Sequence, residues 1–294
     1  MNAKPFIKWV GGKTQLLPEI RKRYPERFEK YCEPFVGGGA VLFDVLSKYS
    51  PSEVLINDIN PELINTYRQI KDNTEELVSL LKDMSSEYFV TEDKKSYFYG
   101  KRTRFNELIM FKSDTVEKAA LFIMLNKTCF NGLYRVNAKG LFNVPHNGAI
   151  HPCICDEENI RSCGKLLQST TIILGDYQKT VDFIDERTFV YIDPPYRPLT
   201  VSSSFTSYNE TGFSDANQKE LAEYFAELSD KGASVLLSNS DPKNADPNDN
   251  FFDDLYKDFT IERVQACRMI NSKASGRGAI SEPLINNGYV RKEG

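Results

Sequence analysis

The run Thr188-Phe189-Val190-Tyr191-Ile192, ended by Asp193-Pro194-Pro195-Tyr196, constrains the fold of this chain more than any other segment. A β-branched and aromatic run of this length reads as a buried strand of a parallel sheet. Two consecutive prolines forbid it from continuing. The tetrapeptide is therefore expected at the carboxyl end of a strand, the edge at which open α/β sheets bind their ligands. Asp193 and the Pro194 carbonyl are hydrogen-bond acceptors, and neither proline supplies a competing N–H. Tyr196 offers a flat face for stacking a planar ring. Acceptors beside a stacking face suit an exocyclic amine on a heteroaromatic ring.

Other segments repeat the strand-then-ligand pattern. Residues 31–46 read as a strand end, the glycine turn Gly37-Gly38-Gly39 and then a helix. Glycines let the backbone approach a ligand closely, and the following helix presents its N-terminus there. Residues 53–60 read as a second strand ending in Asp58, with Asn60 placed to cap a helix that has Pro61 at its first position. A glycine turn, a helix, a strand and then an acid about 20 residues on is the nucleotide-binding logic of a doubly wound sheet, in which the acid holds ribose hydroxyls. Strands resume at Thr171-Ile172-Ile173-Leu174, ending in Gly175-Asp176, and at Ala233-Ser234-Val235-Leu236-Leu237, ending in Ser238-Asn239-Ser240.

Between about 61 and 150 the pattern turns helical. Leu63, Ile64, Tyr67 and Ile70 recur at helical spacing, followed by Leu77, Leu80 and Leu81 and then Ala119, Leu121, Phe122 and Leu125. The stretch closes in a polar, glycine-punctuated loop or hairpin, from Asn131-Gly132-Leu133-Tyr134-Arg135-Val136-Asn137 to Phe142-Asn143-Val144-Pro145.

Composition excludes several classes. The chain has 294 residues, 40% of them hydrophobic and 27% charged, enough for one large domain with an insertion or for two domains. No apolar run is of membrane-spanning length and no signal-peptide core is seen, so a cytoplasmic location is expected. The net charge of −4 argues mildly against a nucleic-acid partner. The positive charge is clustered, however. Lys94, Lys95, Lys101, Arg102 and Arg104 interleave with Tyr97, Phe98, Tyr99 and Phe105, and Arg263, Arg268, Lys273 and Arg277 surround a Ser/Gly stretch. Such clusters fit either a backbone footprint or a solvated helix face. The only histidines, His146 and His151, sit in no recognisable catalytic context. Gly11-Gly12-Lys13-Thr14 is not a phosphate-cradling loop, because Ile7 stands where that loop needs its first glycine. His151, Cys153, Cys155 and Cys163 lie close enough in sequence to supply four zinc ligands, although Cys-x-Cys is not a common zinc spacing, and no metal is expected.

Taken in order, these motifs closely resemble the Dam/DpnII-type (D12 class, α-group) site-specific DNA adenine-N6 methyltransferases. The resemblance runs nearly end to end. Phe6-Ile7-Lys8-Trp9-Val10-Gly11-Gly12-Lys13 looks like the family's opening motif, and Glu33-Pro34-Phe35-Val36-Gly37-Gly38-Gly39 like its cofactor glycine loop. Asn57-Asp58-Ile59-Asn60 looks like the ribose-binding acid, residues 131–145 like the target-recognition hairpin, and Asp193 to Tyr196 like the catalytic motif. Phe205-Thr206-Ser207-Tyr208 and Leu237-Ser238-Asn239-Ser240 match further motifs. The resemblance implies a Rossmann-like α/β domain for S-adenosylmethionine, residues 1–60 with 153–294, interrupted by a mainly helical DNA-reading domain at 61–152.

It also implies residue roles. Asp193, Pro194, Pro195 and Tyr196 would be catalytic. Asp193 is expected to stay ionised, as an acceptor rather than a general base of raised pKa. Trp9, Gly11, Gly12, Lys13, Glu33, Pro34, Phe35, Gly37, Gly39, Asp58, Asp176 and Asp193 would line or shape the cofactor site. Lys8, Asn131, Leu133, Arg135, Asn137 and Pro145 would meet DNA. Arg135 is the main candidate for reading guanine O6 and N7 in the major groove. The implied partner is double-stranded DNA, with the target adenine flipped from the stack. No membrane partner is expected. A restriction endonuclease of the same site is the protein partner such an enzyme serves beside. Methylating one strand per event requires only a monomer. The family's common target is GATC. Many relatives place an aromatic, a glycine and a basic residue after Asn-Val-Pro, whereas this chain has His146-Asn147-Gly148-Ala149-Ile150. Another DNA specificity, action on RNA, methylation of protein glutamine and an idle DNA-binding module are the alternatives. The intact Asp193 to Tyr196 and the recognition hairpin favour adenine in DNA.

Overall fold

A computed structural model describes residues 3–197, 213–267 and 279–291. The Phe205-Thr206-Ser207-Tyr208 motif and Arg268, Lys273 and Arg277 lie outside these residues. The strands are β1 (Lys30–Glu33), β2 (Glu53–Asp58), β3 (Thr170–Leu174), β4 (Thr188–Ile192), β5 (Ser234–Ser238), β6 (Thr260–Cys267) and β7 (Ala279–Asn286). The α-helices are α1 (Leu17–Arg21), α2 (Ala40–Lys48), α3 (Pro61–Asp72), α4 (Thr74–Val90), α5 (Lys94–Met110), α6 (Val116–Thr128), α7 (Glu157–Leu166), α8 (Asp215–Asp230) and α9 (Phe251–Leu255).

The strands form one sheet in the order β3-β2-β1-β4-β5-β7-β6. The chain builds outward from β1 to β3 and then returns to place β4 on the other side of β1. This reversal is the topological switch point of a doubly wound, Rossmann-like α/β sheet, beside which ligands bind at the strands' carboxyl ends. β4 pairs in parallel with β1 and β5, setting Val190 opposite both Cys32 and Val235. All five β4 residues are buried, as its continuous apolar run requires. β7 runs antiparallel to β5 and β6. The sequence reading did not anticipate β6 and β7. In β6, polar Glu262 and Gln265 interrupt the apolar pattern, so no continuous run marks it.

The chain divides into two compact units. One comprises residues 1–12, 36–50 and 56–176. Its helix α3 starts as the sequence predicts: Asn60 accepts the Leu63 N–H, and Pro61 occupies the first turn where no intrahelical donor is needed. Helix α6 is apolar nearly all round and is buried on most of its length, as a central helix must be. The other unit comprises residues 13–35, 51–55 and 177–294. Tyr24, Phe28 and Tyr31 pack their rings around Phe189 of β4 at 5.4–5.6 Å. Among the described residues no helix is long and apolar enough to cross a membrane.

Candidate active site

β4 delivers Asp193 directly past its last residue, and β1 delivers Glu33 as its last. Lys13 is almost fully buried, 4% exposed, and its ammonium reaches Asp193 Oδ1 at 2.6 Å and the Tyr196 hydroxyl at 2.7 Å. Glu282, on β7, lies 4.0 Å from the same nitrogen and accepts from the Tyr196 hydroxyl at 3.4 Å. Ser238, at the end of β5, donates to Asp193 Oδ1 at 3.3 Å. Its one proton is spent there, so the Tyr191 hydroxyl, 2.8 Å away, is the donor to Ser238. Lys13, from the 3-10 turn, and Ser238, from the end of β5, thus meet on one oxygen of the carboxylate that β4 delivers, while Glu282 of β7 faces Lys13 and Tyr196. Asp193 Oδ2 and the Pro194 carbonyl accept no hydrogen bond from the described residues.

Electrostatics explain why Lys13 is tolerated inside. Burial lowers its pKa, but Asp193, Tyr196 and Glu282 together outweigh burial and hold it above the ordinary lysine range. Burial raises the Asp193 carboxyl above its ordinary range, against the opposing pull of Lys13 and Ser238. The expectation of an unraised Asp193 is thereby corrected. The Lys13 ammonium is the largest pull against that rise, a role the sequence reading did not assign to that residue. Glu33 is buried and accepts from the Tyr31 hydroxyl, and Pro34 is buried behind it. The half-buried Phe35 ring packs 5.1 Å from Tyr177 and edge-on to Phe213.

The glycine turn is built around Trp9. A Cβ at Gly37 would lie 2.9 Å from Trp9 Cδ1, and one at Gly38 would lie 3.0 Å from Trp9 Cβ. Gly39 adopts φ +72°, and a side chain there would run into the Tyr67 hydroxyl, which donates to the Gly37 carbonyl at 3.0 Å. Gly11, at φ +76°, turns the chain so that the Gly12 N–H returns to the Trp9 carbonyl. Asp58 accepts the Gly37 N–H on Oδ2 at 3.1 Å and the Asn60 N–H on Oδ1 at 2.9 Å. Burial raises its pKa while these N–H groups oppose the rise. Asp176 is exposed and directly follows Gly175, whose N–H bonds the Asp58 carbonyl at 3.1 Å.

The segment after α6 is a hairpin, closed by the Val136–Phe142 bridge and by the Asn143 N–H on the Arg135 carbonyl at 3.0 Å. Asn106 of α5 clamps it, accepting the Phe142 N–H and donating to the Phe142 carbonyl. Arg135, Asn131, Asn137 and Pro145 are exposed and Leu133 is half-buried. The Arg135 guanidinium rests on Asn143 Oδ1 at 2.8 Å. Lys8, also exposed, packs against Gly132, where an added Cβ would lie 2.6 Å from that of Lys8. Asn126, missed by sequence reading, joins the two: its side chain accepts the Lys8 N–H and donates to the carbonyls of Lys8 and Gly132, all at 2.8–2.9 Å. After Pro145, His146 is held by the Tyr88 hydroxyl at 2.9 Å.

Not every proposed grouping forms. Among the described residues no three His, Cys, Asp or Glu side chains come together to hold a metal. Cys155 turns to the Val78 carbonyl, Cys163 to that of Lys4, and His151 stacks on Phe89. Lys101 is paired with Glu87, and Arg104 with Glu107 and Glu117, so two of the five cations of the first basic cluster have carboxylate partners within the fold. Arg263 of the second is bound to Asp241 and Asp253.

Comparison with known sequences gives this geometry its chemistry. Residues 9–270 match the family of D12 class N6 adenine-specific DNA methyltransferases. The chain belongs to this family. It is 43% identical to the type II methyltransferase M.MjaIII of Methanocaldococcus jannaschii, over 98% of this chain and 100% of that one. It is 42% identical to the type II methyltransferase M1.LlaDCHI of Lactococcus lactis subsp. cremoris, over 98% and 96%. It is 31% identical to the DNA adenine methylase of Escherichia coli K12, over 96% and 94%. It is accordingly an adenine-N6 DNA methyltransferase, and its methyl donor is S-adenosylmethionine. The residues present fit that donor. At Gly37 and Gly38 the space a side chain would need is taken by Trp9, so the glycines let the backbone lie against that ring. A carboxylate offers roughly four lone-pair sites, so Asp58 keeps acceptor capacity for hydroxyls beyond its backbone bonds.

Proposed function

We propose that this protein methylates the amino nitrogen of adenine within double-stranded GATC, acting on a base flipped out of the duplex. The observation that carries the reading is the pair of acceptors left at the end of β4. Asp193 Oδ2 and the Pro194 carbonyl accept from no described residue, and Tyr196 stands beside them. An adenine amino group is a poor nucleophile because its lone pair is delocalised into the ring. Two acceptors taking its N–H bonds favour pyramidalisation and free the lone pair, and the Asp193 carboxylate stabilises the positive charge that develops. Tyr196 stacks on the ring, which must leave the helix to be reached. Pro195 supplies no donor that would compete.

When bound, S-adenosylmethionine supplies a methyl group on a sulfonium. Trp9, Gly11, Gly12, Gly37 and Gly39 would bound its site, Asp58 would take its ribose hydroxyls, and Lys13, Glu33, Pro34, Phe35 and Asp176 would complete the lining. Arg135 reads a guanine, worth about 1–3 kcal/mol of discrimination. Leu133 and Pro145 touch a thymine methyl, Asn131 and Asn137 a base or phosphate, and Lys8 an outer base pair. In this reading residues 61–152 form the DNA-reading insertion, a monomer suffices, and the enzyme works on cytoplasmic DNA. The type II names of two relatives support service beside an endonuclease of the same site.

The test is transfer of labelled methyl to two duplexes, one with a single GATC and one with it scrambled, using wild type and Asp193→Ala. Label on the GATC duplex alone, lost in the variant, is the expected result. Label on both duplexes would discard GATC.

A further inference from the structure

We infer that Gln218, oriented by Asn239, is a positioning residue that sets the one proline torsion of the catalytic tetrapeptide that neither ring closure nor a following proline restricts. The inference rests on the reading of Asp193 to Tyr196 as the adenine site and assigns it a support.

Ring closure fixes φ of Pro194 and Pro195. The residue before a proline is held extended, which restricts ψ of Asp193 and Pro194. Tyr196 is not a proline, so ψ of Pro195 escapes both rules. That torsion orients the Pro195 carbonyl and directs the chain that carries the Tyr196 ring away from Asp193 and the Pro194 carbonyl. Lys13 ties the Tyr196 hydroxyl to Asp193 at the side-chain level, and holding the Pro195 carbonyl fixes the backbone that carries the ring.

Gln218 does so. Its Nε2 donates to the Pro195 carbonyl at 3.3 Å. Asn239, just past β5, donates from Nδ2 to Gln218 Oε1 at 3.2 Å, and its own Oδ1 accepts the Ser240 N–H at 2.8 Å. The relay has one direction. A backbone N–H at one end can only donate and a carbonyl at the other can only accept, so the orientation of both amides is determined. Both side chains are fully buried, at 0% exposure. A buried amide keeps its place only when hydrogen-bonded, and here each satisfies the other. Gln218 lies in the first turn of α8, whose start is fixed by a capping box between Ser214 and Asn217. The Ser238-Asn239-Ser240 segment thus serves the site twice, with Ser238 on the Asp193 carboxylate and Asn239 on the relay.

Two variants test this on unmethylated plasmid DNA, with wild type and Asp193→Ala alongside. In Gln218→Glu an ionised carboxylate turns an acceptor toward the Pro195 carbonyl, whereas the protonated acid can donate to it. Burial raises that carboxyl into the assay range. The kcat of Gln218→Glu should fall about 10–100-fold below wild type at pH 8.5, as for a misplaced reacting group, and the deficit should shrink by at least about tenfold at pH 6. KM for DNA and for S-adenosylmethionine should stay within about threefold. Gln218→Met should lose a similar factor at every pH. A Gln218→Glu deficit that is the same at every pH overturns the inference, as does kcat within about twofold of wild type at pH 8.5. If Gln218→Met does not fold, the pH dependence of the near-isosteric Gln218→Glu decides alone. Wild type without transfer, or Asp193→Ala with it, overturns the site reading instead of the relay.

Discussion

Replacing Lys13 with methionine isolates what holds the Asp193 carboxylate ionised. Methionine keeps the length and bulk of the side chain and removes the charge together with the hydrogen bonds the ammonium donates to Asp193 and Tyr196. Two unit charges about 4 Å apart attract by about 4 kcal/mol at an effective dielectric constant near 20. The pair here is at 2.6 Å, but the Asp193 side chain is 20% exposed and keeps the Ser238 bond, so about half that figure, roughly 2 kcal/mol, is the appropriate loss. The Asp193 pKa should therefore rise further above the ordinary carboxylate range. The sign follows from the chemistry. Asp193 works as an acceptor, so activity is lost as pH falls through its pKa. Burial already lifts that pKa, and Lys13 opposes the lift. Without Lys13 the acid limb of kcat/KM must move to higher pH. The assay is the pH profile of kcat/KM for methyl transfer, which reports the free enzyme, the state described here. The overall level should fall as well, because Lys13 is assigned to the cofactor lining, but the position of the limb is the readout. An acid limb at the same pH in wild type and Lys13→Met would refute the electrostatic reasoning.

Three further perturbations follow from the same structure. Gly39→Ala forces a side chain into the left-handed region and onto the Tyr67 hydroxyl, at about 1–2 kcal/mol for the backbone and about 1–2 for the displaced bond, so urea unfolding should show a loss of about 2–4 kcal/mol; a loss under about 0.5 kcal/mol would contradict the crowding. Asn126→Ala removes three hydrogen bonds between Lys8 and the hairpin at about 1 kcal/mol each, so stability should drop by about 3 kcal/mol and DNA affinity with it, and calorimetry showing wild-type stability would count against the clamp. Arg135→Ala breaks only an exposed bond to Asn143, so thermal stability should be unchanged while discrimination at one guanine relaxes by about 1–3 kcal/mol, measured as the kcat/KM ratio between GATC and a duplex altered at that base; unchanged discrimination would remove Arg135 from base reading.

What the sequence made legible was local. The β4 run, its proline stop and the Asn60–Pro61 helix start each follow from residues within a few positions of one another. Asp58 could be read as a strand-end acid, and the structure adds that it also braces the glycine turn through the Gly37 N–H. Contacts between distant residues were not legible. Lys13 and Asp193 are 180 positions apart, and no pattern near either announces a buried ion pair. Glu282 sits on a strand with too little continuous apolar sequence to be recognised, and Asn126 is a single polar residue at the end of the apolar run Ala119 to Leu125 of α6. Proximity in sequence does not amount to proximity of function at His151, Cys153, Cys155 and Cys163. These residues are adjacent along the chain, yet Cys155 and Cys163 turn to separate backbone carbonyls. Charge clustering left two readings open for a related reason, since Lys101 and Arg104 find their counter-charges on Glu87 and Glu117, residues that sequence spacing does not pair with them.

The central claim is that the acceptors at the end of β4 receive an adenine amino group. Nucleoside mass spectrometry of unmethylated plasmid DNA, digested after incubation with enzyme and S-adenosylmethionine, tests it most directly. N6-methyldeoxyadenosine formed by wild type and absent with Asp193→Ala is the predicted result. Methyl appearing on cytosine, or N6-methyldeoxyadenosine persisting in Asp193→Ala, would contradict it.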